Sequence, residues 1–183
     1  MIIGCRDVQK GEKAAQEINN DEDVIGNGKI LFKQLDLSSF ESIRKFAEEI
    51  EREEESIDIL VNNAGVYMMT YERTKEGFEM NFAVNHLGHF LLTLLLMDKL
   101  KRSKTIARII NVSSIFYGFG KIHFDNINLV NSFSPLKAYG QSKLAGILFT
   151  KELAKRLQGT NVRVYTLHPG ESFVKIEKIN NLI

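Results

Sequence analysis

An α/β fold on a doubly wound parallel sheet is the architecture this sequence predicts, and three observations carry the prediction. Short apolar runs alternate with polar, helix-favouring stretches along the chain. The runs are apolar throughout rather than at every second residue, as strands covered on both faces require. Polar or backbone-permissive residues close each run, which suits a ligand crevice at the carboxyl ends of parallel strands.

The elements follow in order. Met1–Cys5 reads as a strand and Gln9–Asn20 as a helix, with a turn over Asp21–Lys29 marked by Gly26 and Gly28. Ile30–Leu35 is the next strand. Ser38 or Ser39 caps a helix over Phe40–Glu55, whose Ile43, Phe46, Ala47 and Ile50 share one face. Ile57–Val61 is a third strand, and one long helix is expected over Phe78–Arg102. Arg108–Val112 and Val162–Leu167 are the last two strands, with a helix over Ala138–Gln158 between them. Only the connection Phe116–Pro135 is long enough to be a functional loop.

A chain of 183 residues without repeats or linkers is expected to form one domain, residues 1–183. Its 24 lysines and arginines balance 23 aspartates and glutamates, and a net charge of +1 argues against a nucleic-acid partner. A lone cysteine, Cys5, makes neither an internal disulfide nor a thiolate metal site, so a reducing compartment is the default. Arg6 comes too early for a signal-peptide core, and Phe82–Met97, interrupted by Asn85, His86, His89 and Thr93, falls short of the roughly 20 residues a membrane span needs. As written, the chain is expected to be soluble and cytoplasmic.

The strands end in Arg6-Asp7, Asp36-Leu37, Asn62-Asn63-Ala64-Gly65, Ser113-Ser114 and His168-Pro169-Gly170. Each turn has a local reason for such residues; five together favour a ligand crevice. Tyr139 and Lys143 stand one helical turn apart on one face. A free tyrosine titrates near 10, and a neighbouring ammonium favours the phenolate, which makes the phenol a usable acid or base. Ser114 offers a hydroxyl to orient an alcohol or carbonyl. Asn85, costly to bury unsatisfied, is either a hydrogen-bonded core amide or a cleft residue holding a relay water. His86 and His89 lack a third ligand, so packing is the simpler role for both.

Asn62-Asn63-Ala64-Gly65, Asn85, Ser113-Ser114, Tyr139-x-x-x-Lys143 and Pro169-Gly170, in this order and spacing, resemble the short-chain dehydrogenase/reductase family. Gly4-Cys5-Arg6-Asp7, the run Asn85-His86-Leu87-Gly88-His89-Phe90-Leu91-Leu92-Thr93, Ser142-Lys143-Leu144-Ala145 and the 25 positions from Ser114 to Tyr139 resemble its retinol dehydrogenase-like branch. The resemblance implies a Rossmann-like fold and hydride transfer between NADP(H) and a small apolar alcohol or carbonyl substrate, a retinoid or another lipid. It implies Tyr139 as general acid/base, Lys143 as its activator and ribose ligand, Ser114 on the substrate oxygen and Asn85 on a relay water. It places Asn63, Ala64 and Gly65 on the adenosine side, Asp36 and Leu37 near the adenine, Pro169 and Gly170 against the cofactor, and Arg6 on the 2′-phosphate of NADP. Homo-oligomerisation is left open. Relatives in this branch are often anchored to the endoplasmic reticulum.

Two departures stand beside the resemblance. The chain starts at what resembles the family's second strand, without the first strand and its glycine-rich turn. In the order 3-2-1-4-5-6 that strand is central, so its two neighbours are expected to show unpaired edges. After Gly170 comes Glu171-Ser172-Phe173-Val174-Lys175, and the C-terminal strand is expected to be lacking. Three readings stay open: an NADP-dependent oxidoreductase in truncated form, a catalytically dead remnant acting through protein partners, and a nucleotide-sugar epimerase-like enzyme. The Ser114–Tyr139 insert counts against the last.

Overall fold

The computed structural model describes residues 1–21 and 28–170. Part of the expected 21–29 turn, Gly26 included, and the segment from Glu171 lie outside the described residues. The order is β1 (Ile2–Cys5), α1 (Val8–Asn19), β2 (Leu31–Gln34), α2 (Phe40–Glu53), β3 (Ile59–Asn62), α3 (Met80–Phe82), a π-helical turn (Ala83–Gly88), α4 (His89–Leu95), α5 (Met97–Lys101), β4 (Ala107–Val112), two 3-10 turns (Ile115–Phe119 and Phe124–Asn126), α6 (Pro135–Arg156) and β5 (Val162–Leu167). All strand pairs are parallel. The fold is the α/β one on parallel strands that the alternating pattern predicts, and it is Rossmann-like as the resemblance implies.

The sheet falls into two pieces, β1–β2 and β3–β4–β5. Among the described residues nothing pairs with the second edge of β1 or the outer edge of β3, where the sequence expects open edges. Ile59 and Val61 on β3 are accordingly half exposed. Helices hold the two pieces in place. Ile43, Phe46, Ala47 and Ile50 of α2 and Leu92 of α4 form one cluster, against which Ile2 and Leu35 pack from one sheet and Leu60 from the other. A second cluster joins Leu100, Ala107, Ile109, Leu153, Leu157 and Val162, and seats α5 and α6 on the larger sheet.

Local chemistry explains the helix limits. Asp7 accepts from the Lys10 N–H and Ser39 from the Ser42 N–H, each satisfying an otherwise free first-turn amide. Ser134 does the same for α6 by accepting from the Lys137 N–H, with Pro135 in the first turn. The helix expected over Phe78–Arg102 is instead three short α-helices and a π-helical turn. Gly88 brings the turn against the Leu37 carbonyl; a Cβ there would lie 2.6 Å from that oxygen. No helix among the described residues is long and apolar enough to cross a membrane.

Candidate functional site

α6 packs against β4 and β5 and presents Tyr139 and Lys143 one turn apart. The Ser114 side chain interacts with the Tyr139 phenol and pulls its titration down, and Ser114 also caps the first 3-10 turn by accepting from the Phe116 N–H. The Lys143 ammonium lies 5.5 Å from the Tyr139 ring centroid. It donates to the Val112 carbonyl at 3.1 Å, which fixes it at the end of β4. Ser114, Tyr139 and Lys143 thus come together near the end of β4.

Asn85 joins them through its side chain. The amide donates to the Val66 carbonyl at 2.9 Å and accepts from the Val66 N–H at 2.7 Å. Its remaining amide hydrogen goes to Ser142 Oγ at 3.0 Å, and Ser142 in turn donates to the Tyr139 carbonyl at 2.7 Å. Both donors of Asn85 are therefore spent on protein. Its backbone carbonyl faces His89 Nδ1 at 3.2 Å. The π-helical turn is what places this amide between two elements, a common use of π-bulges.

Electrostatics differ from the sequence expectation. The Tyr139 phenol titrates above its ordinary value of 10: burial pushes it up, the Ser114 side chain pulls it down, and Tyr67 pushes it up again. Spacing alone predicts a lowering by Lys143. The Lys143 ammonium instead donates to the Val112 carbonyl, and burial lowers its own value.

The remaining candidates divide by place. Asn63, Ala64 and Gly65 are exposed at the end of β3. Gly65 passes so close to the site that a Cβ would stand 3.3 Å from Asn85 Oδ1 and 3.5 Å from Lys143 Nζ. Asp36 accepts from both the N–H and the hydroxyl of Ser38, while the Leu37 side chain is buried in the core. Arg6 is exposed just past β1. Pro169 and Gly170 are exposed, and Gly170 has φ 84, which favours glycine. Sequence reasoning gave no role of their own to Val66, Tyr67, Phe116 and Ser142. The first three lie on connections, where no periodicity marks them, and the Tyr139–Lys143 spacing treats Ser142 as filler.

A nicotinamide dinucleotide fits these residues at two points. The bare backbone of Gly65 beside Lys143 leaves room where a side chain would intrude, and buried Ser113 Oγ and Asn62 Oδ1 have no protein partner among the described residues. The described residues include no glycine-rich turn for a pyrophosphate.

A parallel α/β sheet with Ser114, Tyr139 and Lys143 gathered near its carboxyl end defines a nucleotide-fold class of protein, and comparison with known proteins gives the family. The family model for short chain dehydrogenase matches residues 1–178, and the chain belongs to that family. Retinol dehydrogenase 12 of Mus musculus is 51% identical over 183 residues, covering 100% of this chain and 57% of that protein. Retinol dehydrogenase 13 of Homo sapiens is 52% identical over 171 residues, 93% of this chain and 50% of that protein. The chain thus spans little more than half the length of the curated relatives it matches. Among solved structures, a metagenomic short-chain oxidoreductase in complex with NADP superposes with TM-score 0.70 at 26% identity, over 92% of this chain and 70% of that one. An uncharacterized protein from Mycobacterium paratuberculosis gives 0.80 at 38% identity, over 96% and 60%.

Proposed function

We propose that the protein is an NADP-dependent oxidoreductase acting on an apolar alcohol or carbonyl compound, of which retinol and retinal are the examples the names of its relatives suggest. The observation that carries this is the Tyr139 phenol with the Ser114 side chain acting on it and the Lys143 ammonium beside its ring. When bound, the nicotinamide supplies or takes up the hydride. Tyr139 gives its phenolic proton to the substrate oxygen in reduction and takes it back in oxidation. Ser114 donates a hydrogen bond to the same oxygen and so fixes the reacting carbon. Lys143 binds the ribose next to the nicotinamide, and its charge favours the phenolate once the ammonium is oriented by that ligand.

Asn63, Ala64, Gly65, Asp36 and Leu37 would line the adenosine end, the last through its backbone, with Pro169 and Gly170 at the nicotinamide end. Arg6 supports NADP over NAD, because a guanidinium suits a 2′-phosphate where a carboxylate suits a free ribose hydroxyl. The apolar substrate class is supported by the lip of the site, where Tyr67, Met69, Ile115, Phe116, Tyr117 and Phe119 are exposed. Titration of the chain with NADPH and NADH, followed by cofactor fluorescence, tests this reading. Binding of NADPH at least tenfold tighter than NADH, with the difference lost in Arg6→Ala, is expected. Failure to bind either cofactor overturns it.

A further inference from the structure

Two aromatic rings stand against the Tyr139 phenol, and neither is needed to close the hydrophobic core. The Tyr67 ring lies 5.1 Å from the Tyr139 ring, inclined at 73°. The Phe116 ring lies 5.9 Å away, inclined at 74°. They arrive on different connections, Tyr67 after β3 and Phe116 after β4, and remain 36% and 39% exposed. Phe119, 70% exposed, stands 6.2 Å from Phe116 and extends the apolar surface outward. Rings left partly open to water beside a half-buried phenol are surface that a ligand covers with gain.

Their backbones are fixed to the groups around the phenol. Val66, next to Tyr67, is held through its N–H and its C=O by Asn85. The Phe116 N–H is held by Ser114 Oγ, and its carbonyl lies against Gly140, where a Cβ would stand 3.1 Å away. The rings are therefore set in place rather than swinging freely, and a body that brings its oxygen to Tyr139 and Ser114 must lie along them. Flat unsaturated bodies stack on such rings at short range; flexible saturated chains gain only the area they bury.

We infer that Tyr67 and Phe116 are specificity-determining residues, which select substrates whose reacting carbon is conjugated with a flat apolar body. This rests on the proposed oxidoreductase function and narrows its substrate class. Neither ring donates or accepts the reacting proton; the pair sets which bodies are held while Tyr139 does so.

The test compares cinnamaldehyde, flat and conjugated, with octanal, flexible and saturated, in NADPH-dependent reduction. Phe116→Ala and Tyr67→Ser are expected to lower kcat/KM for cinnamaldehyde about tenfold, mainly through KM, and to change that for octanal less than twofold. Tyr67→Phe, which keeps the ring, is expected to retain the preference. Equal losses on both aldehydes overturn the inference, since the rings would then serve only to hold Tyr139. So does an unchanged ratio. Should the wild-type chain reduce neither aldehyde, that failure belongs to the proposed function. Saturation-transfer NMR with cinnamaldehyde then decides: a signal that disappears in Phe116→Ala upholds the slot, and the absence of any signal with wild type removes it. If Phe116→Ala unfolds, Phe116→Leu keeps an apolar side chain without the flat face and gives the same comparison.

Discussion

The side chain of Asn85 pairs with the backbone of Val66 on both sides, accepting at 2.7 Å and donating at 2.9 Å, as a neighbouring strand would. The same amide reaches Ser142 on α6, so one residue ties the connection after β3 to the turn that carries Tyr139 and Lys143. Removing it leaves the Val66 N–H and C=O without these partners in a partly buried place. Asn85→Ala is expected to cost about 2–3 kcal/mol in urea unfolding and to weaken NADPH binding about tenfold through the loosened loop at Gly65. Unchanged stability in that variant would sink the clamp.

The phenol hydroxyl of Tyr139 is the proposed proton carrier, and Tyr139→Phe removes it while leaving the ring contacts with Tyr67 and Phe116 available. Loss of a positioned acid or base typically costs about 10²–10⁴-fold in rate. We expect kcat to fall by that amount with NADPH affinity within twofold. Lys143→Met should lower both, because its ammonium is assigned to the ribose as well as to the phenol. Steady-state kinetics and cofactor titration on the same preparations separate the two patterns.

The first 3-10 turn is held against α6 by a glycine-to-glycine approach. A Cβ on Gly120 would stand 2.3 Å from the Gly140 carbonyl oxygen and 2.7 Å from its carbon. Backbone yields less than a side-chain tip, so Gly120→Ala is expected to destabilise by about 1–3 kcal/mol and to displace Phe116 from the phenol. Nothing lies within 4 Å of the corresponding position on Gly118, and Gly118→Ala should stay within about 0.5 kcal/mol. Thermal melts of the two variants side by side check the contrast.

Much of this fold is written in the spacing of apolar residues. Ile43, Phe46, Ala47 and Ile50 fall on one face of α2 in the sequence and are buried together in the structure, with Ser39 as the cap. The split sheet also follows from the order in which the motifs occur, because none of the five apolar runs corresponds to the strand expected between β1 and β3. The π-helical turn does not show, since six residues of a wider helix carry no period distinct from an ordinary one. Nor does the Asn85–Ser142–Tyr139 chain, which depends on two elements meeting in space. Tyr139 and Lys143 are legible because a single helix fixes their separation. Tyr67 and Phe116 are not, because each is placed by a loop.

The two histidines of the Asn85–Thr93 run give the protein a predictable response to acid. His86 packs among Phe82, Phe90 and Phe149. His89 is 8% exposed beneath the Asn85 carbonyl. Burial lowers both imidazoles from 6.5 to about 4; for His89 the Asn85 carbonyl opposes the shift, and Lys143 and His86 add to it. Between those values the unfolded chain binds protons that the folded chain refuses, so the stability these groups contribute is complete above about pH 6.5 and lost as pH falls toward 4. Two such groups give a slope approaching about 2.7 kcal/mol per pH unit, enough to unfold a domain of ordinary stability within that window. We expect cooperative acid unfolding between pH 6 and 4, and a slope roughly halved in His86→Phe, which keeps an aromatic ring among its aromatic neighbours. Urea midpoints measured from pH 7 to 4.5 check this, and a flat profile would show that neither imidazole resists protonation in the fold.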